Sequence, residues 1–387
     1  MKQIQEIYLD NASTTRVIEP VMATMQEVNT HCYGNPSSMH MKGITAENYI
    51  KEAKKQIAHT LNAQPNEIYF TSGGTESDNL AIIGGALAYR RKGMHIITTP
   101  FEHPAVSSAM EVLKEQGFRV TTIPVDQNGI VSPKDVVEAI CEDTIMVAIM
   151  YVNNEIGAIA PIEEIGQQIK KRKEDILFVV DAVQAYGHLD IKVNRQKIDC
   201  LTISAHKIHG PKGVGAIYIR KGVRLIPLMV GGGQQNGIRP GTENVPGIAG
   251  LGEASKAIFD DFDKIALHLS EIKTYFLEEV AKIPESVCHS LLATSADHIA
   301  SVSFSGIRSE VLLHALEDKG IYVSSGSACS TNKPGLSATL QAIKLPKEMI
   351  ESTLRFSFSR FTTKEEIDVT IEQLLQLTTQ LRKYTRR

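Results

Sequence analysis

An α/β fold on a mostly parallel sheet is predicted by two observations. Between about residue 50 and about residue 220, short apolar runs alternate with segments of helical period. Repeated βα units of this kind lay helices over both faces of a parallel sheet. The runs Ile145–Tyr151 and Ile176–Val180 are continuously apolar, as strands covered on both faces are. The chain has 387 residues, more than one ordinary core, so a second unit is expected. The last third changes rhythm and is read as a smaller C-terminal α+β domain. The expected division assigns residues 16–256 to the large domain, and 1–15 with 257–387 to the small one.

In chain order, Tyr49–Leu61 reads as helix and Glu67–Phe70 as a strand opening onto Thr71-Ser72-Gly73-Gly74. Helix Glu76–Arg91, strand His95–Thr99, helix Ala105–Gln116, strand Arg119–Pro124 and helix Lys134–Cys141 follow. Then come strand Ile145–Tyr151, helix Ile162–Arg172, strands Ile176–Val180 and Cys200–Ser204, and strand Gly215–Arg220. Gly231–Gly252 is glycine-rich without a clear period and is expected to be a long loop. Lys256–Ile283 has the pattern of one long amphipathic helix. Beyond it, His298–Phe304, Ile321–Val323 and Thr353–Phe358 read as strands, Glu310–Asp318 and Lys364–Thr378 as helices.

Composition narrows the function classes. With 42% hydrophobic and 22% charged residues the chain reads as soluble and globular, and its net charge of −3 argues against direct nucleic-acid binding or a membrane-surface patch. The best apolar run, Leu80–Tyr89, is too short to span a bilayer and is interrupted by Gly84-Gly85. No signal peptide is read at the N-terminus. Five widely spaced cysteines without a CxxC pair argue against a disulfide framework or a metal site, and predict a reducing, cytoplasmic setting.

The candidate site gathers at strand ends, where open α/β sheets place their ligands. One strand ends in Asp181 and the next runs Ser204-Ala205-His206-Lys207, which directs an acid and an amine into one crevice. That pair is either a structural ion pair or the anchor of pyridoxal 5′-phosphate (PLP). In the second case the amine binds the aldehyde and the acid keeps the pyridine nitrogen protonated. Thr71-Ser72-Gly73-Gly74-Thr75-Glu76 follows a strand and opens a helix, which suits an anion at a helix N-terminus or an ordinary capping box. His103 could stack on an aromatic ring, carry a proton, or be a plain loop residue. Asn154 could donate to a ring oxygen or close a turn. The agreement of several strand ends on one planar, phosphorylated ligand is the stronger signal.

These residues resemble a known family. Tyr8-Leu9-Asp10-Asn11-Ala12-Ser13-Thr14-Thr15, Tyr33-Gly34-Asn35-Pro36-Ser37-Ser38-Met39-His40, Ser204-Ala205-His206-Lys207, Arg239-Pro240-Gly241-Thr242-Glu243-Asn244 and Leu354-Arg355-Phe356-Ser357 together resemble the cysteine desulfurases of the NifS/IscS type, class V members of the fold-type I PLP enzymes. The resemblance covers nearly the whole chain. It implies that Lys207 holds PLP, Asp181 pairs with the pyridinium nitrogen, Gln184 and Asn154 bond the ring hydroxyl, and His103 stacks on the ring. It assigns the phosphate to Thr75, Ser204 and His206, with Thr242 arriving from the neighbouring subunit of a homodimer. Asn35, Asn154 and Arg355 would hold the carboxylate of L-cysteine, a task for which a planar guanidinium is suited.

The cofactor alone does not select the reaction. Cys329 lies in the run Ser324-Ser325-Gly326-Ser327-Ala328-Cys329-Ser330-Thr331, whose small residues bury little apolar surface and predict an exposed, mobile loop. Cys32, Cys141, Cys200 and Cys288 are read as bystanders. By the resemblance, Lys207 takes the Cα proton, the Cys329 thiolate takes the sulfur as a persulfide, and alanine leaves. His103 is a candidate proton carrier. The acceptor would be an iron–sulfur scaffold or a tRNA sulfurtransferase. The variable Asn332-Lys333-Pro334-Gly335 and the short end at Arg387 put a scaffold partner in doubt. Rival readings are an aminotransferase or lyase of the same fold, a selenocysteine lyase, and a catalytically silent partner.

Overall fold

The computed structural model describes residues 6–325 and 336–385. The first strand, β1 (Ile7–Tyr8), precedes a seven-stranded sheet made of β2 (Ile68–Thr71), β3 (His95–Thr98), β4 (Arg119–Thr122), β5 (Thr144–Met150), β6 (Leu177–Asp181), β7 (Cys200–Ser204) and β8 (Gly215–Ile219). Their order is β2-β8-β7-β6-β5-β3-β4. Only β8 opposes its neighbours; the β7–β6–β5–β3–β4 pairings are parallel.

The sheet is covered on both faces, as its apolar runs predict. Val147 and Ile149 of β5, with Phe178 and Val180 of β6, pack into one core. The alternate residues Met146, Ala148, Leu177 and Val179 pack into another. Helix Ile162–Arg172 shows how such a cover is encoded. Ile162, Ile165 and Ile169 are buried at helical spacing, acids occupy the first turn and bases the last, complementing the helix dipole.

A third core joins Ile7 and Leu9 to Phe276, Phe304 and Phe356. It covers β9 (Ser286–Cys288), β10 (Ile299–Phe304), β12 (Ser324–Ser325) and β13 (Thr353–Ser357), which form a four-stranded sheet; β11 (Ile321–Tyr322) pairs with β1. Among the described residues no helix is long and apolar enough to cross a membrane.

Two expectations are corrected. The glycine-rich stretch does not stay a loop through Gly252: helix Val245–Phe259 begins inside it, and helix Phe262–Val280 follows as a separate element. The Asn244 side chain accepts the Gly247 N–H at 3.1 Å and starts the first helix. Its glycines serve close packing. A Cβ on Gly250 would stand 3.0 Å from Met25 Cγ, and one on Gly252 would stand 2.8 Å from Ala53 Cα. The helix therefore seats tightly on Glu19–Thr30 and Met41–Leu61. The expected single helix breaks at Asp261, whose φ of −116° and ψ of 19° are not helical. Glu19–Thr30 itself is a helix absent from the sequence reading.

Candidate active site

Beyond the carboxyl ends of β5, β6 and β7 lies a cavity of about 240 Å³. Asp181 is the last residue of β6. After β7 a single 3₁₀ turn, Ala205–Lys207, swings Lys207 back toward the same space. Its Nζ donates to the carbonyls of Ala12 (2.6 Å) and Ser13 (2.7 Å). The segment after β1 thus crosses the mouth of the crevice. Thr75, His103, Asn154, Gln184, Ser204, His206 and Arg355 also line the cavity.

Each side chain is aimed by local structure. His103 caps helix Pro104–Glu115, its Nδ1 accepting the Ala105 N–H at 3.1 Å. With Nδ1 an acceptor, the neutral ring carries its proton on Nε2. Burial lowers the His103 pKa, Asp181 pulls it back up and Lys207 pushes it down. Gln184 Nε2 donates to the Ala12 carbonyl at 2.8 Å, while its Oε1 lies 3.4 Å from His298 Nε2. His298 stacks on His188 with ring centroids 3.6 Å apart. Burial takes His188 down to about 3 and His298 well below its usual value, so both rings are neutral.

At the anion end, Glu76 takes the capping role: its carboxylate accepts the Ser72 N–H at 2.7 Å and pairs with Arg239 at 2.9 Å. Thr75 and Gly74 are left facing the cavity. A Cβ on Gly74 would stand 2.7 Å from Val183 Cγ2, so this cradle demands glycine. Burial, then Lys207 and Lys212, lowers His206 to about 4. It is therefore a neutral hydrogen-bonding group, 3.2 Å from Thr14 Oγ1 through Nδ1.

Asp78 and Asp181 line the cavity and Glu102 is buried near Asp181. Burial raises all three: Asp78 goes well above its usual value, Glu102 up to about 8, and Asp181 upward as well. Only Asp181 has both His103 and Lys207 drawing it back toward ionisation. Asp78 accepts the Thr202 hydroxyl at 2.7 Å. An acid beside an amine, a ring-sized gap and a glycine cradle backed by Ser204 and Thr75 fit a protonated pyridine carrying a phosphate.

Arg355, on β13, is buried; its Nη1 donates to the Asn154 carbonyl and its Nη2 to Asp10, each at 2.8 Å. Arg355 Nε finds no partner among the described residues. β12 is antiparallel to β13 with Ser324 in register with Arg355, so the chain departs toward Cys329 from beside the cavity. It returns at Ser337, whose hydroxyl donates to Glu155 at 2.6 Å. Cys329 itself lies outside the described residues. Asn35 and Thr242 are exposed and do not line the cavity; Asn35 Oδ1 accepts the Ser37 N–H at 2.9 Å. Asp10, Asp78, Glu102, His188 and His298 were not singled out in the sequence. Asp10 lies within the Tyr8–Thr15 motif and Glu102 within Phe101-Glu102-His103-Pro104, the signals that could have found them.

Comparison with known proteins agrees with this geometry. The Aminotransferase class-V profile matches residues 7–369. The cysteine desulfurase IscS of Methanosarcina thermophila is 44% identical over 97% of this chain and 93% of its own length. A solved NifS-like protein superposes with a TM-score of 0.92 at 35% identity, covering 97% of this chain and all of that one, 100%. The structure titled SspA in complex with cysteine gives 0.81 at 34% identity, over 93% and 100% of the two chains. With a buried Asp–Lys pair, a glycine cradle and a family match running nearly end to end, the chain belongs to the aminotransferase class-V family.

Proposed function

We propose that this protein is a PLP-dependent cysteine desulfurase, which converts L-cysteine to L-alanine and passes the sulfur through Cys329. The observation that carries this reading is the register of Ser324 against Arg355. It starts the thiol-bearing segment beside the guanidinium suited to a substrate carboxylate.

When bound, PLP supplies an electron sink for the bond pair released at Cα. Lys207 would hold its aldehyde carbon and Asp181 its ring nitrogen. Gln184 and Asn154 would bond the ring hydroxyl, and Thr75, Ser204 and His206 the phosphate. Once the substrate amine has displaced it, Lys207 Nζ would be free to take the Cα proton. His103, neutral with its proton on Nε2, would stack on the ring and pass protons between thiol and product carbon. Arg355 and Asn154 orient the carboxylate. The Cys329 thiolate takes the substrate sulfur: an S–S bond forms, the C–S bond breaks, and its electron pair returns to carbon, which is protonated to alanine.

Two residues of the expected site, Asn35 and Thr242, are exposed, which supports completion of the cavity by a second copy in a homodimer. Met39 and Val230, at 97% and 95% exposure, are apolar surface that such a partner could cover. We assign residues 16–256 to the cofactor domain and 1–15 with 257–387 to the small domain. We further infer a cytoplasmic enzyme whose acceptor is an iron–sulfur scaffold or a tRNA sulfurtransferase.

The test compares wild type, Lys207→Ala and Cys329→Ser by visible spectrum and by sulfide and alanine release. Wild type is expected to be yellow and active, Lys207→Ala to lack the lysine-linked absorbance, and Cys329→Ser to be yellow but unable to release sulfide. Full sulfide release by Cys329→Ser sinks the proposal, and alanine-free turnover would favour an aminotransferase or lyase.

A further inference from the structure

A second cluster with ligand chemistry lies at the opposite end of the parallel strands, where β3 and β5 begin. His95 opens β3, and Cys141 and Asp143 occupy the turn before β5. Cys141 Sγ is 3.1 Å from His95 Nδ1 and 3.1 Å from Asp143 Oδ1. The three ligand atoms lie within 4.8 Å of one another. Around a tetrahedral zinc ion, sulfur, nitrogen and oxygen donors stand about 3.5 Å apart, so modest side-chain shifts would suffice to admit the ion.

The surroundings favour ligation. His95 Nε2 is 2.8 Å from Thr121 Oγ1, the kind of outer hydrogen bond that fixes a ligating imidazole, and Nδ1 would exchange its Thr144 contact for the metal. Thr144 Oγ1, 2.7 Å from His95 Nδ1, also accepts the Cys141 N–H at 2.8 Å and holds the turn in place. A cation already spans the other two donors: Arg119 Nη2 donates to Asp143 Oδ1 at 2.8 Å and to Cys141 Sγ at 3.6 Å. Arg119 is exposed and can swing into solvent. The Cys141 thiol donates to Asp143 Oδ1, and a zinc ion bound by both would replace that proton. No CxxC or paired-histidine spacing announces the cluster, because its members meet across β3 and a turn.

We propose that His95, Cys141 and Asp143 form a zinc site with three protein ligands and a solvent-facing fourth position. Thiolate and imidazole donors select zinc over magnesium or calcium. Arg119 is its built-in competitor.

The test is zinc competition against a chromophoric chelator, using reduced, metal-free, PLP-loaded enzyme. Wild type is compared with Cys141→Ser and Arg119→Ala. Cys141→Ser, a near-isosteric change far from the catalytic cavity, is expected to bind one tight equivalent fewer while keeping wild-type activity in zinc-free buffer. Arg119→Ala is expected to keep the equivalent and hold it several-fold tighter. A zinc-soaked crystal measured at the zinc edge is expected to show an anomalous peak between His95 Nδ1 and Cys141 Sγ. Equal equivalents in wild type and Cys141→Ser, loss of the equivalent in Arg119→Ala, or no peak between those atoms overturns the proposal.

Discussion

Arg355 reaches Asp10 across 345 residues of chain and binds it at 2.8 Å, joining β13 to the segment that follows β1. The same guanidinium donates to the Ser13 hydroxyl at 2.5 Å and the Asn154 carbonyl at 2.8 Å. Asp10 is a positioning residue: it compensates a buried charge and fixes the plane of the fork. A buried arginine held this rigidly recognises a carboxylate with little loss of side-chain entropy.

Arg355→Lys should therefore damage binding more than turnover. Lysine keeps the charge but loses the planar fork, so it cannot hold Asn154 and Asp10 and also present a bidentate pair to a substrate carboxylate. A charge-assisted hydrogen bond contributes roughly 1.5–3 kcal/mol, so kcat/KM for cysteine should fall by about 10- to 100-fold, most of it in KM. Steady-state kinetics checks this; an unchanged KM would remove Arg355 from the substrate site.

Asp181 and Asp78 should separate cleanly in mutants although both are buried carboxyls. Burial raises both, but His103 and Lys207 draw Asp181 back toward ionisation, whereas Asp181 pushes Asp78 further up. Asp181→Asn removes the charge partner of the ring nitrogen. It should lower kcat by at least about 10-fold, a single charge-assisted bond, and shift the visible band. Asp78→Asn keeps an oxygen to accept the Thr202 hydroxyl and should stay within a few-fold of wild type. Equal losses in the two variants would contradict this division of roles.

How much of this was legible in the sequence depends on the distance over which each signal acts. Asp181 and Lys207 were readable because an apolar run ending in a polar residue marks a strand end, and the sheet does the rest. The glycines of Val245–Phe259 were misread because local propensity treats glycine as a loop former. Here Gly250 and Gly252 are needed by neighbours at Met25 and Ala53, which no local window contains. Asp78, His188 and His298 were invisible for the same reason. Asp78 gains its role through Thr202 on β7, and His298 through Gln184. Asn35 and Thr242 were assigned by resemblance alone, and one chain does not bring them to the cavity.

Glu102 yields a pH prediction. Its carboxyl accepts the Thr99 hydroxyl at 2.5 Å and the Met150 N–H at 2.8 Å, and burial raises its pKa from 4.5 to about 8. Between those two values the folded protein keeps a proton that the unfolded chain has released. Folding stability contributed by this group is thus fully present below about 4.5, and it declines as pH rises until the loss is complete above about 8. Glutamine does not titrate, keeps an acceptor for Met150 and offers Thr99 a donor. The thermal midpoint of Glu102→Gln should consequently fall less than that of wild type across this window, with the two curves converging toward acid. Scanning calorimetry of the PLP-loaded proteins at a series of pH values reads the difference. Parallel curves would mean that Glu102 is ionised in the folded state.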